Sequence, residues 1–261
     1  MHNFELVKPA SVADAVAALG REDAQALSGG QTLLPTMKQR LAAPAVLVSL
    51  TGIPGLKGIK ASGGSIEIGA ATTHAEVASG AAKAYPALAK LAAGIGDPAV
   101  RNRGTIGGSL ANNDPAADYP AAALASGATI VTNAREIAAD DFFQGLFSTA
   151  LDEGEIITAV RFPVPDRAAY AKFQQPASLF ALTGSFVAKS GAGVRVAVTG
   201  ASEDGVFRWA EAEKALNANF AASALDGVSV SANGMIGDLH GSPAYRANLV
   251  KVMTKRAVGA A

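Results

Sequence analysis

The chain has 261 residues, and its 22 basic and 22 acidic side chains give a formal net charge of +0. This balance predicts no basic surface of the kind that binds nucleic acid or acidic membranes. Cysteine is absent, which excludes disulfides and cysteine-held iron–sulfur clusters, and three histidines make a histidine-rich metal site unexpected. There is no run of about 18 apolar residues and no secretory signal in residues 1–10, so we expect a cytoplasmic protein without membrane insertion.

Residues 1–55 predict a small lobe in which strands alternate with helices. Ser11 can cap a helix, with Asp14 three residues later in a near capping box. The helix places Val12, Ala15, Val16 and Leu19 on one face, and Gly20 ends it. Strands are predicted over residues 4–7, 24–27 and 46–50.

A glycine pair follows the second of these strands. Residues 28–32 read Ser-Gly-Gly-Gln-Thr and precede the apolar segment that begins at Leu33. Glycine has no Cβ, so a ligand can approach the backbone N–H groups closely. A strand, a glycine turn and a short helix form a common phosphate-binding arrangement.

A second glycine pair lies in the stretch from Gly94 to Pro120, which is too rich in Gly, Asn, Asp and Pro for a long helix or a plain strand. At its centre, residues 105–109 place a hydroxyl on each side of two glycines. Successive N–H groups in such a turn form a concavity that holds an anion. Either glycine pair alone more often indicates only a turn. Two pairs in one domain suit a ligand with two phosphates, such as a dinucleotide.

The rest of the sequence predicts a second lobe over residues 56–165 and, after it, a carboxy-terminal part with its own sheet and helices. In the lobe, an aromatic-rich segment at residues 140–147 is expected to be core, and Pro163 and Pro165 mark its end. After it, three strands and two helices predict a small antiparallel sheet with helices against it. In the second lobe, strands are predicted over residues 65–69, 128–131 and 155–162, and helices over 74–79 and 85–93. In the carboxy-terminal part, strands are predicted over 170–173, 181–188 and 194–199, and helices over 211–216 and 245–257.

Three segments in this order, SGGQTLLP, TIGGSLANNDPAADYP and GEIITAVRFP, closely resemble the flavin-binding subunits of the xanthine dehydrogenase/carbon monoxide dehydrogenase family of molybdenum hydroxylases. An Asp238…His240-x-Ser242…Tyr245-Arg246 pattern before the last helix extends the resemblance over nearly the whole chain. It implies an α+β fold. A two-lobed FAD-binding domain of the vanillyl-alcohol-oxidase/p-cresol-methylhydroxylase type would span residues 1–165, and a carboxy-terminal domain of the carbon monoxide dehydrogenase flavoprotein type would span 166–261.

The resemblance also implies a binding mode for FAD, with its pyrophosphate on the two glycine turns. It places Ile95 and Ile157 beside the adenine and gives Asp118 a hydrogen bond to the cofactor. Lys172, Gln174 and Gln175 remain alternative donors to the flavin ring. Gln31 stands where some relatives have His or another polar residue, which leaves the backbone cradle intact and any side-chain role there open. The residues expected to bind the cofactor are Ser28, Gly29, Gly30, Gln31, Thr32, Leu33, Ile95, Thr105, Gly107, Gly108, Ser109, Asp118, Ile157 and Lys172.

Other polar residues have simpler interpretations. Asp97 and Asp114 lie in a turn-rich loop, where Asp commonly bonds nearby backbone N–H groups. His74 and His240 lack the sequence context of a catalytic triad. The cations of the last helix, such as Lys255 and Arg256, are expected to favour its dipole and face water, with a partner-binding surface as the lesser alternative.

The function implied by the resemblance is electron transfer. A large partner subunit would oxidise the substrate at molybdopterin, and [2Fe-2S] clusters of a small partner would deliver electrons to FAD on this chain. An external acceptor such as NAD or oxygen would then take them. The sequence leaves open a self-sufficient oxidase or enolpyruvyl reductase on the same fold, and a flavin-binding or assembly protein without catalysis. The substrate cannot be named, because in this family its site lies on another chain.

Overall fold

The computed structural model describes residues 1–261, and its strands form three separate sheets. The first sheet has three parallel strands in the order β1-β3-β2. Ala15 of the first helix packs with Val46 and Val48 of the sheet in one buried cluster. Ser11 caps that helix as predicted, with its hydroxyl 3.1 Å from the backbone nitrogen of Asp14. The elements are β1 (Glu5–Val7), α1 (Val12–Leu19), β2 (Ala24–Leu27), α2 (Leu33–Lys38) and β3 (Val46–Ser49).

The second sheet has five antiparallel strands in the order β4-β5-β8-β6-β7. Its apolar face and the helices beside it share the largest core cluster, which includes Leu88, Leu91, Ile106 and Phe162. The elements are β4 (Ile59–Ser62), β5 (Ser65–Gly69), α3 (His74–Gly80), α4 (Pro86–Ala93), α5 (Pro98–Arg101), α6 (Ile106–Asn112), α7 (Tyr119–Ser126), β6 (Thr129–Thr132), β7 (Glu136–Ala138), α8 (Ala139–Phe142) and β8 (Ile157–Pro163).

The aromatic-rich segment is core only in part. Phe142 is fully buried and packs edge-on against Phe143 at a centroid distance of 5.2 Å. Phe147 is 61% exposed and has a left-handed φ of 53°, so its assignment to the core is wrong. The reason lies in Asn113, whose side-chain amide donates to the carbonyls of Gly145 and Ser148, both at 2.8 Å, and holds the chain in a turn that directs Phe147 outward.

The third sheet has four antiparallel strands in the order β12-β11-β10-β9, where the sequence predicted three. The added strand is only four residues long and follows a tight return from the strand before it. The mixed α+β class is confirmed. The elements are β9 (Arg167–Gln174), β10 (Ala181–Ser190), β11 (Gly193–Ser202), β12 (Gly205–Arg208), α9 (Ala210–Ala218), a 3-10 helix (Ala222–Leu225) and α10 (Pro243–Ala260).

Helix α10 differs from the prediction of solvated cations at one position. Arg246 is buried, and its guanidinium donates to the carbonyls of Leu182 and Gly200 and to the carboxylate of Asp238. Lys255 instead pairs with Asp226 near the surface. Arg246 therefore joins the last helix to the third sheet. None of the helices combines the length and the apolar composition that a membrane crossing requires.

Helix α7 lies between the second and third sheets and is buried along almost its whole length. Strand β11 fixes the segment that precedes α7. The Thr199 hydroxyl lies 2.7 Å from the carbonyl oxygen of Ala117, and the Gly200 N–H donates to the Pro115 carbonyl at 2.7 Å. Arg195 of the same strand donates to the Leu124 carbonyl at the other end, at 2.7 Å. Both ends of α7 are thus positioned by the third sheet. The boundaries of the two lobes, 1–55 and 56–165, and of the carboxy-terminal domain, 166–261, stay predictions.

Candidate functional site

A cavity of about 650 Å³ opens between the regions of the first and second sheets. The loop between β9 and β10 closes one side of it through Ser178, Leu179 and Phe180. This volume falls within the range of about 300–1,000 Å³ that is usual for small-molecule and cofactor sites. Of the fourteen residues that the sequence predicted at the cofactor, every one except Lys172 lines this cavity.

The first glycine segment presents a row of free donors to the cavity. The backbone N–H groups of residues 29–33 donate to no backbone or side-chain acceptor in the chain. Gly30 has a φ of 71°, which lets the backbone turn between β2 and α2. A Cβ on Gly29 would lie 2.1 Å from the Arg103 carbonyl oxygen and 2.7 Å from the Cα of Gly104, so this loop packs directly on the backbone that leads into the second glycine segment. Consecutive free N–H groups in a turn form a concave anion site.

The second glycine segment has a different structure from the turn that the sequence predicted. Thr105 caps helix α6 by accepting from the Gly108 N–H at 3.2 Å, so both glycines lie in the first helical turn. The N–H groups of Ile106 and Gly107 donate to the carbonyls of Thr72 and Ala70. What this segment offers the cavity is therefore mainly hydroxyl oxygen. Packing explains why these glycines lie in a helix and not in an open turn. Gly107 contacts Ala70 so closely that a Cβ on Gly107 would lie 2.5 Å from the Ala70 Cβ.

Hydroxyl groups join the two segments and complete the polar wall. The Ser28 and Thr105 hydroxyl oxygens are 2.8 Å apart. The hydroxyls of Thr32 and Ser109 line the cavity, and neither has a hydrogen-bond partner within the chain. Free hydroxyls beside free N–H groups can donate to phosphate oxygens.

Asp118 lies at the N-terminal end of α7, lines the cavity and is 4% exposed. Its carboxylate accepts a hydrogen bond of 2.6 Å from the Tyr170 hydroxyl and lies 3.1 Å from the Lys172 ammonium. Burial raises the pKa of Asp118, while the charge of Lys172 and the Tyr170 hydrogen bond oppose this rise. Both partners lie on β9, so the third sheet determines the orientation of this carboxylate.

Lys172 does not line the cavity. Its ammonium donates to the carbonyls of Gly94 at 2.8 Å and Leu179 at 3.0 Å, in addition to the Asp118 carboxylate. All three donors of the ammonium are therefore used within the chain. Gln174 and Gln175, the alternative ring donors, do not line the cavity either.

The apolar part of the cavity contains Ile95 and Ile157, as expected. Arg101 fixes the loop that carries Ile95, because its guanidinium donates to the carbonyls of Ile95 at 3.0 Å and Gly96 at 2.7 Å. On the opposite side, hydrogen bonds from Arg135 lower the pKa of Glu155 to about 2. Its side chain is only 3% exposed. These charged groups stabilise the wall and leave its surface largely apolar.

The two aspartates that were interpreted as structural have local partners. Asp97 accepts from the Val100 N–H at 2.8 Å and caps α5. Asp114 accepts from the Ala116 N–H at 2.8 Å. Both carboxylates bond the nearby backbone, as predicted for this turn-rich stretch.

Sequence reasoning missed His74 as a residue of the site. It is the first residue of α3, is 5% exposed and lines the cavity. Burial, with a smaller contribution from the charge of Arg101, lowers its pKa to about 4. The local signal was only Thr73, which caps the helix, and nothing near it in sequence indicated that the ring would line the cavity.

Comparison with known proteins places this geometry in context. Residues 2–165 match the family described as FAD binding domain in molybdopterin dehydrogenase. The chain is 35% identical to the carbon monoxide dehydrogenase medium chain of Hydrogenophaga pseudoflava, over 99% of this chain and 96% of that protein. It is 36% identical to the nicotine 6-hydroxylase medium subunit of Paenarthrobacter nicotinovorans, over 96% and 94% respectively.

Solved structures agree with these relatives. The chain superimposes on reconstituted CO dehydrogenase from Oligotropha carboxidovorans with a TM-score of 0.91 and 34% identity, covering 99% of this chain and 97% of that one. For quinoline 2-oxidoreductase from Pseudomonas putida 86 the TM-score is 0.87 with 31% identity, covering 100% and 97%. The likeness therefore extends through all three sheets.

Proposed function

Because this chain belongs to the family of FAD-binding subunits of molybdenum-dependent dehydrogenases, we propose that it transfers electrons within a cytoplasmic multi-subunit complex. It would receive them from [2Fe-2S] clusters on a small partner subunit and deliver them to an external acceptor. A large partner with molybdopterin would oxidise the substrate. The absence of cysteine supports this division, since the chain has no thiolates to hold clusters of its own.

The observation that carries the proposal is the row of free N–H groups over residues 29–33 beside the unpaired hydroxyls of Thr32 and Ser109. Together they fit the two phosphates of FAD, because each phosphate presents several strong acceptors and these donors have no competing partner in the chain. Apolar Ile95 and Ile157 suit the adenine, as the resemblance implies.

The remaining residues of the site bind and orient. When bound, FAD supplies the redox chemistry, and the protein supplies position and electrostatics. Asp118 offers the cavity a buried acceptor whose orientation Tyr170 and Lys172 maintain. Leu179 and Phe180 add apolar side chains to one side of the cavity.

The names of the relatives support a role without substrate recognition. They refer to carbon monoxide, nicotine and glyceraldehyde, although each relative is 32–36% identical to this chain over nearly its whole length. Molecules so different in shape and polarity do not fit one pocket on a common subunit. We place the substrate site on the large partner.

The test is to purify the chain and follow its flavin spectrum. We expect a yellow protein that releases its FAD on acid denaturation, because no cysteine is present for a thioether link. Carbon monoxide, aldehydes, purines or N-heterocycles should not bleach the flavin of the isolated chain. Reconstitution with the iron–sulfur and molybdenum subunits should restore bleaching by the substrate. Catalytic bleaching of the isolated chain by an organic substrate would instead establish a self-sufficient flavoenzyme.

A further inference from the structure

His74 has an unusual environment for a buried polar side chain. Only 5% of the residue is exposed, and its Nδ1 is sealed from solvent without any hydrogen-bond partner. Its Nε2 has no partner within the chain either, but it is not sealed, and the ring lines the cavity. Most buried polar atoms are paired, so an unpaired one requires an explanation.

The position of the ring is determined by contacts on both sides. Thr73 and Glu76 form a complete capping box that fixes the start of α3, and the His74 N–H donates to the Gly104 carbonyl at 2.9 Å. A Cβ on Gly104 would lie 2.5 Å from Nε2, so the imidazole rests directly on this glycine. On its other side the ring packs against Tyr119 at a centroid distance of 5.3 Å.

This contact places Nε2 beside the proposed phosphate site. Gly29 packs on the peptide bond between Arg103 and Gly104, since a Cβ on Gly29 would lie 2.1 Å from the Arg103 carbonyl oxygen and 2.7 Å from the Gly104 Cα. Gly104 thus separates the imidazole from the loop with the free N–H groups by the thickness of one backbone. Thr105, the next residue, is linked through its hydroxyl to Ser28.

The sealed nitrogen determines the tautomer. Among buried backbone groups an N–H without an acceptor is rarer than a C=O without a donor, and the same asymmetry applies to a ring nitrogen. Because Nδ1 has no acceptor for a proton, we expect it to carry the lone pair and Nε2 to carry the proton. The charged or titratable groups around the ring are Arg101, Tyr119 and Asp118, and the Arg101 charge and the burial both favour the neutral imidazole.

We propose that His74 is a further cofactor-binding residue, whose Nε2–H donates a hydrogen bond to an oxygen of the bound dinucleotide next to residues 28–33. This inference rests on the proposed function only in that the cavity holds FAD. It adds to the two glycine segments a side chain from α3, which neither segment contains. The ring would connect the bound cofactor with the capped start of that helix.

The first experiment is nitrogen-15 NMR of the histidine rings, before and after FAD is added to the apoprotein. The chain has three histidines, and His2 and His240 are exposed, so His74 is readily resolved. We expect a neutral ring protonated on Nε2 in both states. On binding of FAD, monitored by absorbance, the Nε2 signal should shift and its proton should exchange more slowly.

An unchanged His74 signal in protein that has bound FAD would overturn the proposal and leave the proposed function standing. Failure of the apoprotein to bind FAD would overturn both. A ring protonated on Nδ1 would also contradict the inference, because Nε2 could not then donate.

The second experiment measures FAD affinity of variants by fluorescence titration. His74→Phe keeps the ring volume and removes the donor, and we expect its FAD affinity to fall about 10- to 100-fold, the usual effect of losing a hydrogen bond to a charged group. His74→Gln places an amide N–H at a similar reach and should recover part of the loss. His240→Phe, on an exposed loop, is the control and should bind as the wild type does.

Thermal unfolding of each apoprotein shows whether the variant is folded. Wild-type affinity in folded His74→Phe would refute the proposal. Equal losses in His74→Phe and His74→Gln would do so as well, since the effect would then depend on packing and not on the donor. The NMR measurement uses the wild-type chain, so it decides the question even if a variant fails to fold.

Discussion

The ammonium of Lys172 lies 3.1 Å from a carboxylate oxygen of Asp118, and their side chains are only 9% and 4% exposed. The pair connects β9 of the third sheet to the start of α7. Removing one member of a buried ion pair leaves the other charge without compensation, which costs more than the pair contributes by attraction.

Lys172→Met should therefore destabilise the apoprotein by about 3–5 kcal/mol, measured by urea unfolding. The double variant with Asp118→Asn should recover much of this loss, because neither charge then remains buried. Lys214→Met removes an exposed lysine from α9 and serves as the control, with a change within about 0.5 kcal/mol. A single variant as stable as the control would show that Asp118 is satisfied in another way.

Gly30→Ala separates the role of the first glycine loop in binding from its role in folding. Gly30 has a φ of 71°, and a Cβ there would lie 2.8 Å from the Leu34 side chain. The left-handed conformation costs a non-glycine residue about 1–2 kcal/mol. We expect a stability loss of this order and a weakening of FAD binding by more than about tenfold, since the row of free N–H groups must move.

Gly63→Ala is the matched control for that experiment. Gly63 has a similar φ of 57°, and nothing lies within 4 Å of its Cβ position. It lies in the turn between β4 and β5 and does not line the cavity. It should lose comparable stability and retain its affinity for FAD. Equal loss of affinity in both variants would mean that strain alone weakens binding.

The two glycines of helix α6 should respond differently to substitution. A Cβ on Gly107 would lie 2.5 Å from the Ala70 Cβ and 2.8 Å from the Ala70 carbonyl oxygen, so Gly107→Ala should destabilise the fold by about 1–3 kcal/mol. A Cβ on Gly108 meets mainly the Thr105 hydroxyl, at 2.9 Å.

Gly108 does not have a positive φ, so a side chain there causes no left-handed strain. Gly108→Val should therefore affect FAD binding more than stability, with a loss of roughly two to four decades in affinity if two charge-assisted hydrogen bonds are disrupted. Calorimetric unfolding and FAD titration of both variants test this contrast. Near wild-type affinity in Gly108→Val would remove α6 from the phosphate site.

Stability of the apoprotein should fall as the pH decreases from about 6.5 to about 4, in part because of His74. Burial lowers the pKa of His74 in the folded chain to about 4, from 6.5. Between these values the unfolded chain binds a proton that the folded chain does not, so stability falls by up to about 1.4 kcal/mol per pH unit.

Carboxylates such as Glu155 also titrate in acid, so the His74 contribution is measured as a difference between proteins. Urea unfolding of the wild type and of His74→Phe across this range should give a shallower dependence for the variant. The His240→Phe protein should follow the wild type. Parallel curves for all three would mean that His74 becomes protonated in the folded chain as readily as in the unfolded one.

Much of the local structure could be predicted because its causes are local. The period of apolar residues placed most of the strands and helices that it predicted to within one or two residues, although it did not predict elements such as β4 and α7. Ser11 and Thr73 marked helix starts through their own hydroxyls. The loop at residues 28–33 was recognisable as a turn because its glycines directly follow a strand, and its role in binding was inferred from the second glycine pair and the family resemblance. These features depend on neighbours within about four residues.

The structure differs from the predictions where contacts with residues distant in sequence determine the local conformation. Phe147 points outward because Asn113, far away in sequence, holds the adjoining turn. Gly107 and Gly108 lie in a helix because its first two N–H groups, those of Ile106 and Gly107, donate to the carbonyls of Thr72 and Ala70. Lys172 does not line the cavity because the carbonyls of Gly94 and Leu179 accept hydrogen bonds from its ammonium. No local pattern encodes such pairings.

The position of helix α7 limits how this protein can be divided into independent parts. Thr199, Gly200 and Arg195 of β11 form hydrogen bonds to both ends of α7. Residues 1–165 are therefore not a self-contained unit, although residues 2–165 match the FAD-binding family by themselves. Without the third sheet, the carbonyls of Pro115, Ala117 and Leu124 would lose these donors, and the buried surface of α7 would be exposed to water.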